Sequence, residues 1–259
     1  MNAPTVEALG YRGVKLVGHL GCVGLFLVEI GKNALRRPFR GRRLLNEVFD
    51  VGVLSLAIVC LSGASVGAVL GLQGYTTLSR FGAESSLGAV VGLALVRELG
   101  PVLTALLVAG RAGSAMAAEI ASMVTTQQLD GLRMMSIDPI DFVVTPKALA
   151  MLIAMPMLNA LFIAFALFGG YLIGVELLGV DGGTYLTSME ESINFEEDVL
   201  GTLIKSVIFG GLVGAIATYR GYISEPTSAG VSAATTGTVV IASVSVLLFD
   251  YVITALWGV

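Results

Sequence analysis

Three stretches of this chain carry no Asp, Glu, Lys or Arg at all: residues 51–79, 148–175 and 226–249. Each exceeds the ~20 apolar residues that cross a ~30 Å hydrocarbon core as a helix. A chain built around such stretches cannot fold as an ordinary soluble domain. Only 13% of its residues are charged, against about a quarter in soluble globular domains. A soluble enzyme, a nucleic-acid binder and a disordered chain are excluded on that ground. The net charge of −4 says less than the distribution of charge along the chain.

Allowing isolated charges inside a span, five segments qualify: about 48–72, 87–110, 148–175, 199–219 and 235–257. They are expected to be helical, because a spanning segment must satisfy its own backbone hydrogen bonds. The ~10-residue alternating pattern of a membrane β-barrel is absent. Residues 14–30 are apolar but interrupted by Lys15, His19 and Glu29, which suits a helix lying in the interface rather than a sixth span. His19-Leu20-Gly21-Cys22 is a poor lipoprotein box, so the N-terminus is read as retained. Cys22 and Cys60 sit in apolar surroundings and read as small hydrophobes rather than a disulfide pair. A lone histidine makes no metal site.

Basic residues set the expected orientation. Arg12, Lys15, Lys32, Arg36, Arg37, Arg40, Arg42 and Arg43 precede the first span, and Arg111, Arg133, Lys147 and Arg220 fall in connections on the same side. The opposite side has Arg80 alone, together with seven acids between residues 176 and 198. The positive-inside rule then puts the N-terminus in the cytoplasm and the C-terminus outside.

Within the spans, glycines recur at four-residue spacing: Gly63, Gly67 and Gly71; Gly88 and Gly92; Gly170 and Gly174; Gly210 and Gly214. Such ridges let helices approach closely, within one chain or across a dimer seam. Pro101 and Pro156 are expected to kink or break spans two and three. Four charges lie well inside spans: Arg97, Glu98, Lys205 and Asp250. Lys205 and Asp250 come out at matched depth, about 9 and 10 Å below the outer surface at ~1.5 Å per residue. Arg97 and Glu98 lie near mid-membrane, and adjacent helical positions cannot simply pair with each other. These charges either lock the bundle or line a polar pocket walled by Leu70, Leu78, Phe81 and Leu99.

The connection 111–147 is expected to be cytoplasmic and to hold an amphipathic helix over 119–135, with Ile120, Met123 and Val124 followed by Leu129, Leu132 and Met135. It reads either as a docking element or as a surface helix without a partner. The sequence 201–206 ends in Lys-Ser but lacks the glycine before the lysine and lies in a span, so it is no phosphate-binding loop.

LGLQGY (70–75), LVRELGP (95–101), AGRAGSAMAAEI (109–120), DGLRMMSIDP (130–139) and PTSAGVSAATTGTVV (226–240) together resemble the MlaE/YrbE family of permeases from bacterial phospholipid ABC transporters. The resemblance runs from end to end. It implies an all-α membrane protein: one permease domain over 1–259, with an interfacial segment at 1–46 and a five-helix bundle at 47–259 that carries a coupling loop at 111–147. In the family that loop is the coupling helix seated in a cleft of the ATPase subunit; Glu119, Gln128, Asp130 and Asp138 match positions in it, while Gln127 stands where many members have glutamate, and these five are the expected ATPase-coupling residues. The four intramembrane charges match the family's intramembrane charges, which supports the lipid-pocket reading. The resemblance also implies a second copy of the chain, a separate cytoplasmic ATPase that uses ATP and Mg, a STAS-type accessory subunit and a periplasmic MCE-domain ring. This chain itself is expected to bind no cofactor, to catalyse no reaction and to sit in a Gram-negative inner membrane. The rival readings are an ion- or proton-coupled secondary transporter and a structural scaffold.

Overall fold

The computed structural model describes residue 18, residues 21–34 and residues 41–257. His19, several of the N-terminal basic residues and Val259 lie outside the described residues. Helices account for nearly all of the rest. They are α1 (21–34), α2 (Gly41–Phe81), α3 (Glu84–Thr125), α4 (Gln128–Met134), α5 (Ile140–Leu177), α6 (Gly182–Ser192), α7 (Glu196–Tyr222) and α8 (Ser228–Trp257). Five of them, α2, α3, α5, α7 and α8, are long and apolar enough to cross a membrane.

The glycine ridges explain how the long helices pack. Gly63, Gly67 and Gly71 of α2 press on the backbone of Phe162, Ala166 and Gly170 in α5, and Gly169 answers from α5 against Ala64. At Gly67 an added Cβ would collide with the Ala166 carbonyl. Gly210 and Gly214 seat α7 against Met151, Leu152 and Met155 of α5. The ridges therefore serve packing inside one chain. Small residues let these backbones meet where lipid supplies no hydrophobic drive for helix association.

Three boundaries depart from the sequence reading. First, α2 begins at Gly41, because GRRLLNEVFDVG forms an amphipathic α-helix that leads into the span. Second, Pro101 does not break span two; α3 continues unbroken to Thr125. Its 42 residues rise about 63 Å at ~1.5 Å each, twice the hydrocarbon thickness. Third, the expected helix over 119–135 is divided at Thr126–Gln127, where Gln127 takes a left-handed φ of 58°. Only the seven-residue α4 is separate. Pro156 likewise sits within the uninterrupted α5.

The acid-rich 176–198 segment is not a free loop. Asp181 caps α6, its carboxylate accepting from the Thr184 N–H at 2.8 Å and the Thr184 hydroxyl at 2.9 Å. Those donors hold the Asp181 carboxyl below its ordinary range. Tyr185 is buried against Gly88, Gly170 and Gly174 and meets Tyr171 edge-on at 5.7 Å. Burial pushes its phenol up to about 12. The helix thus packs on the N-terminal half of α3. At the other end of the bundle, α1 buries Phe26 and Ile30 against Ile140 and Val144, with Phe26 also stacking near Tyr219 and Tyr222.

Candidate functional site

The centre of the site is made by a proline. In an α-helix each carbonyl accepts from the N–H four residues on. Here the turn Leu95–Leu99 is widened to π geometry, and the Gly100 N–H bonds to the Leu95 carbonyl instead of that of Val96. Pro101 has no N–H to give the Arg97 carbonyl. Two successive carbonyls of α3 are thereby released toward α7, and α7 supplies their donors. The Thr202 hydroxyl bonds to the Val96 carbonyl, and the Lys205 ammonium to the Arg97 carbonyl at 3.0 Å.

The three donors of Lys205 are fully engaged. Besides the carbonyl, Nζ donates to Glu98 Oε1 at 3.1 Å and to Thr254 Oγ1 at 2.8 Å, and it forms an ion pair with Asp250 Oδ1 at 3.2 Å. Thr254 in turn bonds to Glu98 at 3.2 Å. One ammonium thus ties α3, α7 and α8 together. Arg97, adjacent on α3, points elsewhere, its Nε lying 2.6 Å from Asp198 at the start of α7. The Asp198 carboxylate is buried and also accepts from the Asn194 N–H at 2.9 Å.

Burial divides the four charges. The Lys205 side chain is 8% exposed and Asp250 18%, whereas Arg97 and Glu98 are 49% and 42% exposed. The first pair fastens helices. The second pair is half-exposed on α3, Glu98 turned to Lys205 and Arg97 to Asp198.

One helical turn toward the N-terminus of α3 lies a groove of about 250 Å³ between α2 and α3. It is lined by Leu70, Gln73, Gly74, Thr77, Leu78, Val90, Val91 and Ala94. Of the expected pocket walls, Leu70 and Leu78 line it. Phe81 stands exposed at the C-terminal end of α2, and Leu99 packs against the core; neither lines the groove. Gln73, Thr77, Val90 and Asp198 were not singled out by sequence. For Asp198 no local signal could have done so, because it looks like one more acid of an acidic loop.

At the opposite end of the bundle the five loop residues are all exposed, but the structure does not gather them on one face. Glu119 on α3 meets the buried Lys147 at 2.7 Å, and Glu47 of α2 meets the same ammonium at 2.7 Å. Gln127 forms the left-handed corner, and Gln128 opens α4. Asp130 pairs with Arg133 at 2.8 Å, while Arg133 also reaches the Tyr222 hydroxyl at 2.7 Å. Asp138 caps α5 through the Ile140 N–H at 2.9 Å. Buried Leu129 anchors α4, and Met134, 89% exposed, stands out from it beside exposed Met135. Among the described residues no group of His, Cys, Asp and Glu could hold a metal ion.

Comparison with known proteins bears on this arrangement. The family model for Permease MlaE matches residues 44–256. The intermembrane phospholipid transport system permease protein MlaE of Haemophilus influenzae is 47% identical over 97% of this chain and 96% of its own length. A probable ABC transporter permease protein of Rickettsia bellii is 40% identical over 97% and 96%. The chloroplastic protein TRIGALACTOSYLDIACYLGLYCEROL 1 of Arabidopsis thaliana is 30% identical over 98% of this chain and 73% of its own.

Proposed function

The chain belongs to the MlaE permease family, and from that premise we propose that it carries phospholipid between the inner and outer membranes of a bacterium through the groove between α2 and α3. The observation that carries this reading is the groove itself, apolar along its walls and ending one turn from the half-exposed Arg97 and Glu98. Acyl chains find Leu70, Leu78 and Val90, and a headgroup finds fixed charge of both signs. Lys205 holds Glu98 in place and the buried Asp198 holds Arg97.

The chain sits in the inner membrane with its N-terminus in the cytoplasm and its C-terminus outside, as the basic residues imply. ATP is hydrolysed by a separate ATPase subunit, and α4 with its flanking turns is where that subunit docks. Glu119, Gln127, Gln128, Asp130 and Asp138 surround that contact. Supporting this, the protruding methionines give α4 an adaptable apolar tip, and the cytoplasmic half of α3 provides a rigid lever into the membrane. A second copy of the chain, a STAS-type accessory subunit and a periplasmic MCE-domain ring complete the transporter.

Purification from native membranes, with mass spectrometry of bound proteins and lipids, tests this reading. Wild type should bring down an ATPase subunit and phospholipid. Thr77→Trp fills the groove from an exposed position, so it should keep the ATPase and lose most of the phospholipid. Undiminished phospholipid in that variant would place the lipid elsewhere.

A further inference from the structure

A second cleft lies at the other end of the bundle, at the corner between α7 and α8, and neither the groove nor the coupling turn uses it. Its volume is about 360 Å³, and Arg220, Ile223, Ser224, Glu225, Ala229 and Ala233 are among its walls. That is at the small end of the ~300–1,000 Å³ typical of ligand sites. Arg220 reaches it from the last turn of α7, held by one hydrogen bond from Nη2 to the Ala233 carbonyl at 3.2 Å. Gly237 makes room for the guanidinium; a Cβ there would come within 3.0 Å of its Cζ and Nε. The Arg220 Nε and the Ser224 hydroxyl are both buried atoms without a hydrogen-bond partner among the described residues. Buried donors left unpaired cost roughly 1–3 kcal/mol each, and native structures seldom carry them beside a cavity without something that accepts from them.

The charges around the cleft define what fits. Arg220 and Ser224 offer donors to an oxyanion, and a guanidinium suits phosphate geometry. Glu225 on the same rim offers a carboxylate, which disfavours a purely anionic guest and favours one with an ammonium beside its phosphate. Small side chains at Ala229, Gly230, Ala233 and Ala234 keep the α8 wall flat. Arg220 lies fifteen positions along α7 from Lys205, about 22 Å at ~1.5 Å per residue. The cleft therefore meets the leaflet opposite the groove, at headgroup level.

We propose that this cleft is a phosphoethanolamine headgroup site, with Arg220 and Ser224 holding the phosphate and Glu225 the ammonium of a lipid from the leaflet on the N-terminal side. It is independent of the transport groove and stands whether or not the groove carries cargo.

Native mass spectrometry of the full chain with phosphatidylethanolamine, phosphatidylcholine and phosphatidylglycerol of matched acyl chains tests it. The measurement is best made in the Thr77→Trp background, so that groove-bound lipid does not contribute. One phosphatidylethanolamine should be retained at least tenfold better than phosphatidylcholine, whose quaternary ammonium cannot donate to Glu225. Arg220→Gln should abolish that preference. Glu225→Gln should shift it toward phosphatidylglycerol by threefold or more. Because Arg220 also braces α8, Ala229→Glu provides a second variant, placing a carboxylate at the phosphate position from an exposed site; it too should lose the retained lipid. Equal retention of phosphatidylcholine, or a preference surviving both Arg220→Gln and Ala229→Glu, would overturn the proposal. So would inorganic phosphate or free phosphoethanolamine displacing the lipid at equal concentration, because the cleft would then serve a soluble phosphate.

Discussion

Lys205 shows how much one side chain can decide in a membrane interior. It neutralises Glu98 and Asp250 and caps a carbonyl that Pro101 cannot. Removing one partner of a buried charge pair typically costs about 3–5 kcal/mol, because the other charge is left uncompensated. Lys205→Met is therefore expected to lower the thermal stability of the purified chain by that order. Adding Asp250→Asn should recover part of the loss, and Lys205→Met without a stability change would remove the cluster from the structure's supports. Glu98→Gln is a contrasting case. Its side chain is half-exposed, and the amide keeps the Thr254 contact, so stability should change by no more than about 1 kcal/mol, the scale of exposed pairs. Lipid transport should nevertheless fall several-fold. Sequence alone placed Lys205 and Asp250 at one depth, since helical rise converts position into depth. It could not show that Arg97 turns to Asp198, because that pair joins residues from different elements and Asp198 has the same local surroundings as its acidic neighbours.

At the scale of elements, helices were legible and their ends were not. Freedom from charge marks a span, but a charge does not mark its end when another helix satisfies it. Arg111 reads as the start of a connection, yet it donates to the Asp50 carbonyl at 2.8 Å and the Ser55 hydroxyl at 3.2 Å on α2. With its charge so placed, α3 runs on to Thr125. The glycine ridges were visible as a pattern, while their partner, another helix of the same chain, needed the structure. Gly67→Val should therefore fail at the level of the single chain, since overpacking costs ~1–3 kcal/mol or more and the obstacle is the Ala166 backbone. Gly110→Ala meets open space and should leave yield and thermal stability unchanged. Comparable expression and melting of the two variants would refute the intrachain packing. The cap of α6 adds a pH dependence. Because the folded-state carboxyl of Asp181 is held low, its contribution is present above the ordinary value of about 3.9 and is lost as pH falls through the lowered one. Hydrogen-exchange protection at residues 182–186, relative to the intrinsic rate at each pH, should fall in acid, and Asp181→Asn should reduce that acid dependence.

For the whole molecule, the two ends of the bundle are chemically different. One has the groove between α2 and α3 and the packed acidic segment, and the other has the C-terminal half of α3, the exposed methionines of α4 and the Lys147 triad that joins α2, α3 and α5. Cysteine placed at Gly182 is expected to react with an impermeant reagent from the periplasmic side, and one at Gly131 only after the membrane is opened. The reverse pattern would invert the orientation. On the proposed function, phospholipid moves through the groove under ATP drive applied at the far end. Transfer of a fluorescent phospholipid in proteoliposomes holding this chain with its ATPase subunit tests it. Wild type should transfer lipid only with ATP, and Thr77→Trp should reduce transfer at least fivefold while ATPase association persists. ATP-dependent transfer at the wild-type rate through the blocked groove would contradict it.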